Sequence, residues 1–213
     1  MAARLKKAKV PAKSAIVATN VVDPVRPLKT FDHGGGGVSS LSMARFYWPA
    51  GEGLRETIEP RFIKKRRPAG AESEVDTAAK VEVLLPADAP QDYADPCFIV
   101  RHYQASLPPD EVLAFVQVTI RFGDSPNLHH PYEKARSWIR SHFVESMGLP
   151  VVLILHAPYL VGSDADGHVH ALILPRRASR LGWMAVERDL GNDASALSAR
   201  LAWDKLAHPW SQT

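Results

Sequence analysis

Val151-Val152-Leu153-Ile154-Leu155-His156, followed after a polar loop by His168-Val169-His170-Ala171-Leu172-Ile173-Leu174-Pro175-Arg176-Arg177, is the stretch that decides the fold. Each half is a short, β-branched apolar run of strand length. Pro158 and the glycines Gly162 and Gly167 break the chain between them, and Pro175 ends the second run. The pattern predicts a β-hairpin. Side chains alternate along a strand, so His168 and His170 share one face with Val169 on the other, and pairing the two strands brings His156 beside them. Imidazole is the commonest metal-binding side chain. Three on one rigid surface leave coordination positions open for water or a phosphate oxygen. The alternative for a His-x-His pair is a half-exposed polar pair on a strand edge, and both remain open at this level.

The chain has 213 residues, a length that fits one domain plus tails and allows a substantial core. It holds no run of eighteen apolar residues, so no membrane segment is expected, and residues 1–13 lack the apolar stretch of a secretory signal. Cys97 is the single cysteine, which rules out an internal disulfide or a Cys-rich zinc module and suits a reducing, cytoplasmic setting. Charge is unevenly spread. Seven of the 26 basic residues (Arg4, Lys6, Lys7, Lys9, Lys13, Arg26, Lys29) and only one of the 23 acids, Asp23, fall in residues 1–30, which leaves 19 basic and 22 acidic residues, a net of −3, in the remainder. Residues 1–30 are expected to be a basic, disordered tail and residues 31–210 a single domain. Within that domain the positive charge is clustered, at Arg61, Lys64, Lys65, Arg66 and Arg67 and again at Arg176, Arg177 and Arg180. Such clusters either neutralise nucleic-acid phosphates or are solvated loop charge.

Elsewhere the sequence predicts a short helix over residues 39–45 and a strand over 81–85. A strand is expected over 97–107, and a helix from Pro109 to about Phe122, where Val116, Val118, Thr119 and Ile120 leave a strand open. Residues 131–147 carry the clearest helical stripe, with Tyr132, Ala135, Ile139 and Phe143 at three- and four-residue spacing and Gly148 as the stop. A last helix is expected over 194–207. Helices beside antiparallel strands predict an α+β fold, with helices packed on one face of an antiparallel sheet and the histidines on the other.

Several stretches together resemble the relaxase domain of plasmid mobilisation proteins, the MobA/MobL group of the HUH endonucleases. They are Arg101-His102-Tyr103-Gln104-Ala105-Ser106-Leu107-Pro108; the segment from Ala135 to Leu149, with Phe143-Val144 and Met147-Gly148 near its end; His156 with Gly167-His168-Val169-His170-Ala171; and Leu197-Ser198-Ala199-Arg200-Leu201-Ala202-Trp203. The family usually writes Asn-Pro before its His-x-His pair, where this chain has Asp166-Gly167. The resemblance covers roughly residues 97 to 207, and more weakly 39 to 52. It implies a ferredoxin- or RRM-like palm in which His156, His168 and His170 hold Mg²⁺ or Mn²⁺. It also implies metal-dependent nicking and strand transfer on single-stranded DNA at a plasmid origin of transfer, through a 5′-phosphotyrosyl intermediate and alongside accessory mobilisation proteins. Ser40-Leu41-Ser42-Met43-Ala44-Arg45-Phe46-Tyr47, followed by Ala50-Gly51-Glu52, is similar in spacing to the family's nucleophile segment and makes Tyr47 the implied nucleophile. The other reading of Phe46-Tyr47-Trp48 is an aromatic packing cluster. The DNA backbone would lie on Arg176, Arg177, Lys64, Lys65, Arg66 and Arg67. Two other functions stay open: a catalytically degenerate relaxase-like module that binds DNA or protein, and a histidine-triad nucleotide hydrolase, whose third strand histidine is Leu172 here.

Overall fold

The computed structural model describes residues 28–31, 40–48, 58–67, 78–123 and 127–207. A six-stranded sheet organises them. Its strands are β1 (Leu28–Phe31), β2 (Ser40–Tyr47), β3 (Lys80–Leu84), β4 (Leu113–Arg121), β5 (Val151–His156) and β6 (His168–Ile173). They run in the order β1-β2-β4-β6-β5-β3, every neighbour antiparallel. A small two-stranded ribbon, β7 (Arg176–Ser179) and β8 (Gly182–Val186), follows β6. Among the described residues there are four α-helices: α1 (Glu59–Lys65), α2 (Pro96–Ala105), α3 (His129–Ile139) and α4 (Asp193–Ala207). The expected α+β class with an antiparallel sheet is the one observed.

The predicted hairpin is β5 paired with β6, with His156 directly opposite His168 and Ile154 opposite His170. The predicted long helix is α3 continued by a wider π turn over Arg140–Glu145. It stops at Gly148, whose φ of 72° is the left-handed conformation that glycine adopts at little cost. The strand expected over 81–85 and the helix over 194–207 are β3 and α4, each within a residue or so.

Three expectations are overturned, each for a local reason. The segment expected to be a helix over 39–45 is strand β2. Its residues are helix-tolerant, but pairing along the whole of β4 buries Leu41 and Met43 on one face and Ala44 and Phe46 on the other, and this outweighs a weak propensity. The strand expected over 97–107 is α2. Asp95 caps it, its carboxylate accepting from Phe98 N at 2.6 Å, and Pro96 occupies the first turn, where its missing N–H costs nothing. The helix expected from Pro109 is strand β4, buried at every position but Arg121. Its start is fixed by Glu111, which is only 2% exposed; the carboxylate accepts from Leu113 N at 3.1 Å and from Arg188 Nε at 3.0 Å. Residues 28–30, read as the end of the tail, form with Phe31 the strand β1 that pairs with β2. The rest of that tail and Ala50-Gly51-Glu52 lie outside the described residues.

Two apolar layers flank the sheet. One packs α3, the π turn and α4 against Leu41, Met43, Val116, Val118, Ile120, Leu153, Val169 and Ala171, with Trp138, Phe143 and Trp203 at its centre. The other packs α1 and α2 against Phe46, Phe115, Val152, Ile154, Leu172 and Leu174. The larger helices α3 and α4 therefore cover one face as expected, but the histidine face is not bare, because α1 and α2 lie on it.

Candidate metal centre

Strand alternation puts His156 on the same face as Val152 and Ile154, and His168 and His170 on the same face as Leu172. The three rings converge at one end of the sheet. Their centroids are 4.9 Å (His156–His168), 5.3 Å (His156–His170) and 5.0 Å (His168–His170) apart. One ring nitrogen from each lies within 4.8 Å of those of the other two.

Hydrogen bonds on the outer side of the rings show which nitrogens remain for a ligand. His156 Nε2 is 2.8 Å from the Lys65 carbonyl, and His168 Nδ1 is 2.9 Å from the Asp166 carbonyl. A carbonyl only accepts, so each of these nitrogens carries a proton and donates. The lone pairs are left on His156 Nδ1, a buried atom that makes no hydrogen bond, and on His168 Nε2. Metal-ligating histidines commonly show this arrangement, one nitrogen tied to a protein acceptor and the other bare, so the residues fit a divalent cation. Burial holds the His168 and His170 imidazoles below the usual histidine range; for His170 the neighbouring His168 and Lys65 charges act in the same direction. Both imidazoles are therefore neutral at neutral pH, the form in which histidine can bind a metal.

A pH dependence follows from the sign of these shifts. As pH falls below about 6.5 the unfolded chain takes up protons at these two positions before the folded one does, so the metal-free fold loses stability with acidification and the loss begins there. Denaturant titrations between about pH 8 and pH 5 should show a midpoint that falls below pH 6.5, and the dependence should be shallower in His170→Ala.

The remaining predicted site residues separate into those the fold brings to the histidines and those it does not. The Lys64-Lys65-Arg66-Arg67 cluster is brought there: it ends α1, and Lys65 supplies the carbonyl bonded to His156. Arg121, which sequence reasoning missed, pairs in register with His168, and its charge also acts on His168 and His170. Only the register of β4 on β6 reveals it.

Tyr47 is not at the centre. It pairs with Leu113 at one end of β4, whereas His168 pairs with Arg121 at the other, a separation of about 25 Å along the strand. It also packs on the opposite face, its hydroxyl donating to the Gly191 carbonyl at 3.0 Å. The spacing that suggested a nucleophile is a strand end docked on the 3₁₀ turn Arg188–Gly191 that precedes α4. Arg176 and Arg177 likewise lie beyond the far end of β6, and both are engaged in holding the ribbon. Arg176 donates to the Met184 carbonyl at 2.6 Å and to the Ser106 carbonyl, and Arg177 pairs with Glu187 at 2.7 Å. Trp183 packs among Tyr93, Tyr103 and His102 on α2's side of the ribbon.

At Gly167, where the resembled family has proline, a Cβ would stand 2.4 Å from Leu128 Cδ2, so a larger residue before His168 requires the Leu128 side chain at the start of α3 to shift.

No family model and no curated protein matches this sequence. Among solved structures, one from Staphylococcus aureus, described as the molecular basis of vancomycin resistance transfer, matches with a TM-score of 0.52 at 16% identity, over 62% of this chain and 69% of that one. The likeness establishes a shared fold. The class defined by fold and site together is thus an α+β domain built on an antiparallel sheet, with three histidines that could hold a metal ion. Among the described residues no helix is long and apolar enough to cross a membrane.

Proposed function

We propose that this domain holds a divalent cation, Mg²⁺ or Mn²⁺, at His156, His168 and His170, and through it binds a phosphate of single-stranded DNA in a relaxase-like, transfer-related role. The convergence of three imidazole nitrogens within 4.8 Å carries the reading. The bound ion would supply Lewis-acid polarisation of the phosphate. The protein's own contribution is to fix the three rings through Lys65 O, Asp166 O and the β4 side chains, and to set the cationic Lys65 and Arg121 beside them, where they attract the DNA backbone. The solved structure described in terms of resistance transfer supports a role in DNA transfer by likeness of fold.

Tyrosine chemistry divides this reading in two. Strand cleavage through a phosphotyrosyl bond requires a phenol at the histidine end of the sheet. Tyr47 is on the far face, Tyr103 is buried with its hydroxyl on the Ala114 carbonyl, Tyr132 is bonded to Glu82, and Tyr93 lies against Trp183. Tyr159 alone is exposed, at 65%, on the loop that leaves β5 after His156. The position of Tyr47 favours metal-dependent binding without a covalent step through that residue.

The test is to incubate single-stranded oligonucleotides with the protein in Mn²⁺ and in chelator, measuring binding and covalent adducts together. Metal-dependent binding is expected, with Tyr47→Phe indistinguishable from wild type in both readouts and destabilised by about 1 kcal/mol for the lost hydrogen bond. An adduct abolished by Tyr159→Phe would convert the function to nicking. Binding equal in Mn²⁺ and chelator would refute the proposal.

A further inference from the structure

We propose that Thr119 and Gln117 are positioning residues that hold His170 in the tautomer whose Nε2 lone pair is open toward the cation. The inference rests on the three-histidine reading above. It starts from an asymmetry among the rings. His156 and His168 are each fixed by a backbone carbonyl, which accepts and cannot donate, so their tautomers are determined. His170 Nδ1 faces side chains instead: Thr119 Oγ1 at 3.0 Å and the Gln117 amide at 3.3 Å. A hydroxyl both donates and accepts, so it permits either tautomer.

The outcome depends on what the Thr119 hydroxyl donates to. If its proton goes to His170 Nδ1, the ring carries its hydrogen on Nε2, and the nitrogen facing the other two imidazoles is a donor that cannot bind a metal. If its proton goes elsewhere, Thr119 Oγ1 accepts from Nδ1–H and Nε2 is a ligand. Gln117 supplies that other acceptor. Its amide stands with Nε2 3.0 Å from Thr119 Oγ1, and a half-turn about the terminal bond, which exchanges the two ends, brings Oε1 there instead. With Oε1 toward Thr119, protons run in one direction, from His170 Nδ1–H to Thr119 Oγ1 and from the Thr119 hydroxyl to Gln117 Oε1. With the NH₂ end inward, Nε2 donates to Thr119 Oγ1 and lies 3.3 Å from His170 Nδ1, the hydroxyl is left to donate to Nδ1, and the inner nitrogen of His170 carries the proton. Only the first arrangement gives all three histidines the same form, outer nitrogen protonated and inner nitrogen bare.

The two residues are otherwise costly where they stand. Gln117 and Thr119 are 6% and 9% exposed on the central strand, and their neighbours Val116, Val118 and Ile120 are apolar and fully buried. Burying an amide and a hydroxyl in such a strand is unfavourable unless their hydrogen bonds are made. Here both lie on the histidine face, with Thr119 directly opposite His170.

The test uses the full chain with ¹⁵N-labelled histidine. Long-range ¹H–¹⁵N spectra of the metal-free protein give the tautomer of His170, and calorimetric titration with Mn²⁺ gives affinity. The wild type should show His170 protonated at Nδ1. Thr119→Val, nearly isosteric, should move the proton to Nε2 and weaken Mn²⁺ binding about 10- to 100-fold, the usual cost of losing a supporting partner of a ligating histidine. Thr119→Ser should restore both. Gln117→Leu keeps the hydroxyl but removes its acceptor, so it should shift the tautomer in the same sense; this gives a second readout should Thr119→Val fold poorly. A wild-type His170 protonated at Nε2, or wild-type Mn²⁺ affinity in Thr119→Val, would overturn the assignment. A wild type with an Nδ1-protonated His170 that binds no Mn²⁺ would overturn the metal reading instead, and the two failures are told apart by the spectrum.

Discussion

Replacing His168 and His170 together by alanine should reduce Mn²⁺ affinity by more than about 100-fold, beyond the range that follows loss of a supporting group, and should abolish the metal-dependent part of single-stranded DNA binding. Two of the three converging nitrogens are removed, and His156 alone offers a single ligand atom. The fold should survive, because His168 and His170 project from the hairpin at the edge of the α1/α2 layer, and the valine and alanine between and after them make the apolar contacts on the other face. Circular dichroism and the denaturation midpoint check that point. Residual DNA binding should be salt-sensitive and insensitive to Mn²⁺, reflecting the Lys64–Arg67 cluster and Arg121 acting on phosphates through charge alone. Double-mutant protein that retains wild-type, metal-dependent binding would place the cation somewhere else.

The second large effect concerns the opposite side of the sheet. Trp203 on α4 is fully buried, meets Trp138 of α3 edge-on at 5.4 Å, and belongs to the layer that includes Phe143 and the inner faces of β4, β5 and β6. Trp203→Ala should destabilise the domain by about 3–5 kcal/mol, the range for deleting a large aromatic side chain from a core that cannot close the cavity. This is a large share of the stability of a domain of this size. Urea titration measures it. A loss below about 1 kcal/mol would mean that α4 is an appendage rather than part of the core. Whatever fraction remains folded should bind Mn²⁺ normally, because the sheet separates Trp203 from the histidines.

Legibility in the sequence followed local pattern. The β5–β6 hairpin was readable because apolar runs and turn residues alternate cleanly there, and the meeting of three histidines followed from strand geometry alone. The long helix was readable from its stripe. What failed was decided at a distance. The segment ending in Tyr47 carries residues compatible with either structure, and pairing with β4 alone makes it a strand, so neither its conformation nor the face Tyr47 occupies was available locally. Arg121 became visible as a site residue only through its register with His168. The helix α2 did have a local signal, Asp95-Pro96, which was masked by the apolar run Phe98-Ile99-Val100 behind it. Gln117 and Thr119 also had one: two polar residues at strand spacing between valines and an isoleucine share a face, but knowing which face required the sheet.

The most direct test of a three-histidine centre is calorimetric titration of the wild-type chain with Mn²⁺ at neutral pH. A centre built from His156, His168 and His170 predicts saturable binding of one ion per chain, lost in the triple alanine variant and weakened by acidification only below the usual histidine range, where the His168 and His170 imidazoles of the folded chain take up protons. No saturable heat in the wild type, or an isotherm unchanged in the triple variant, would contradict it.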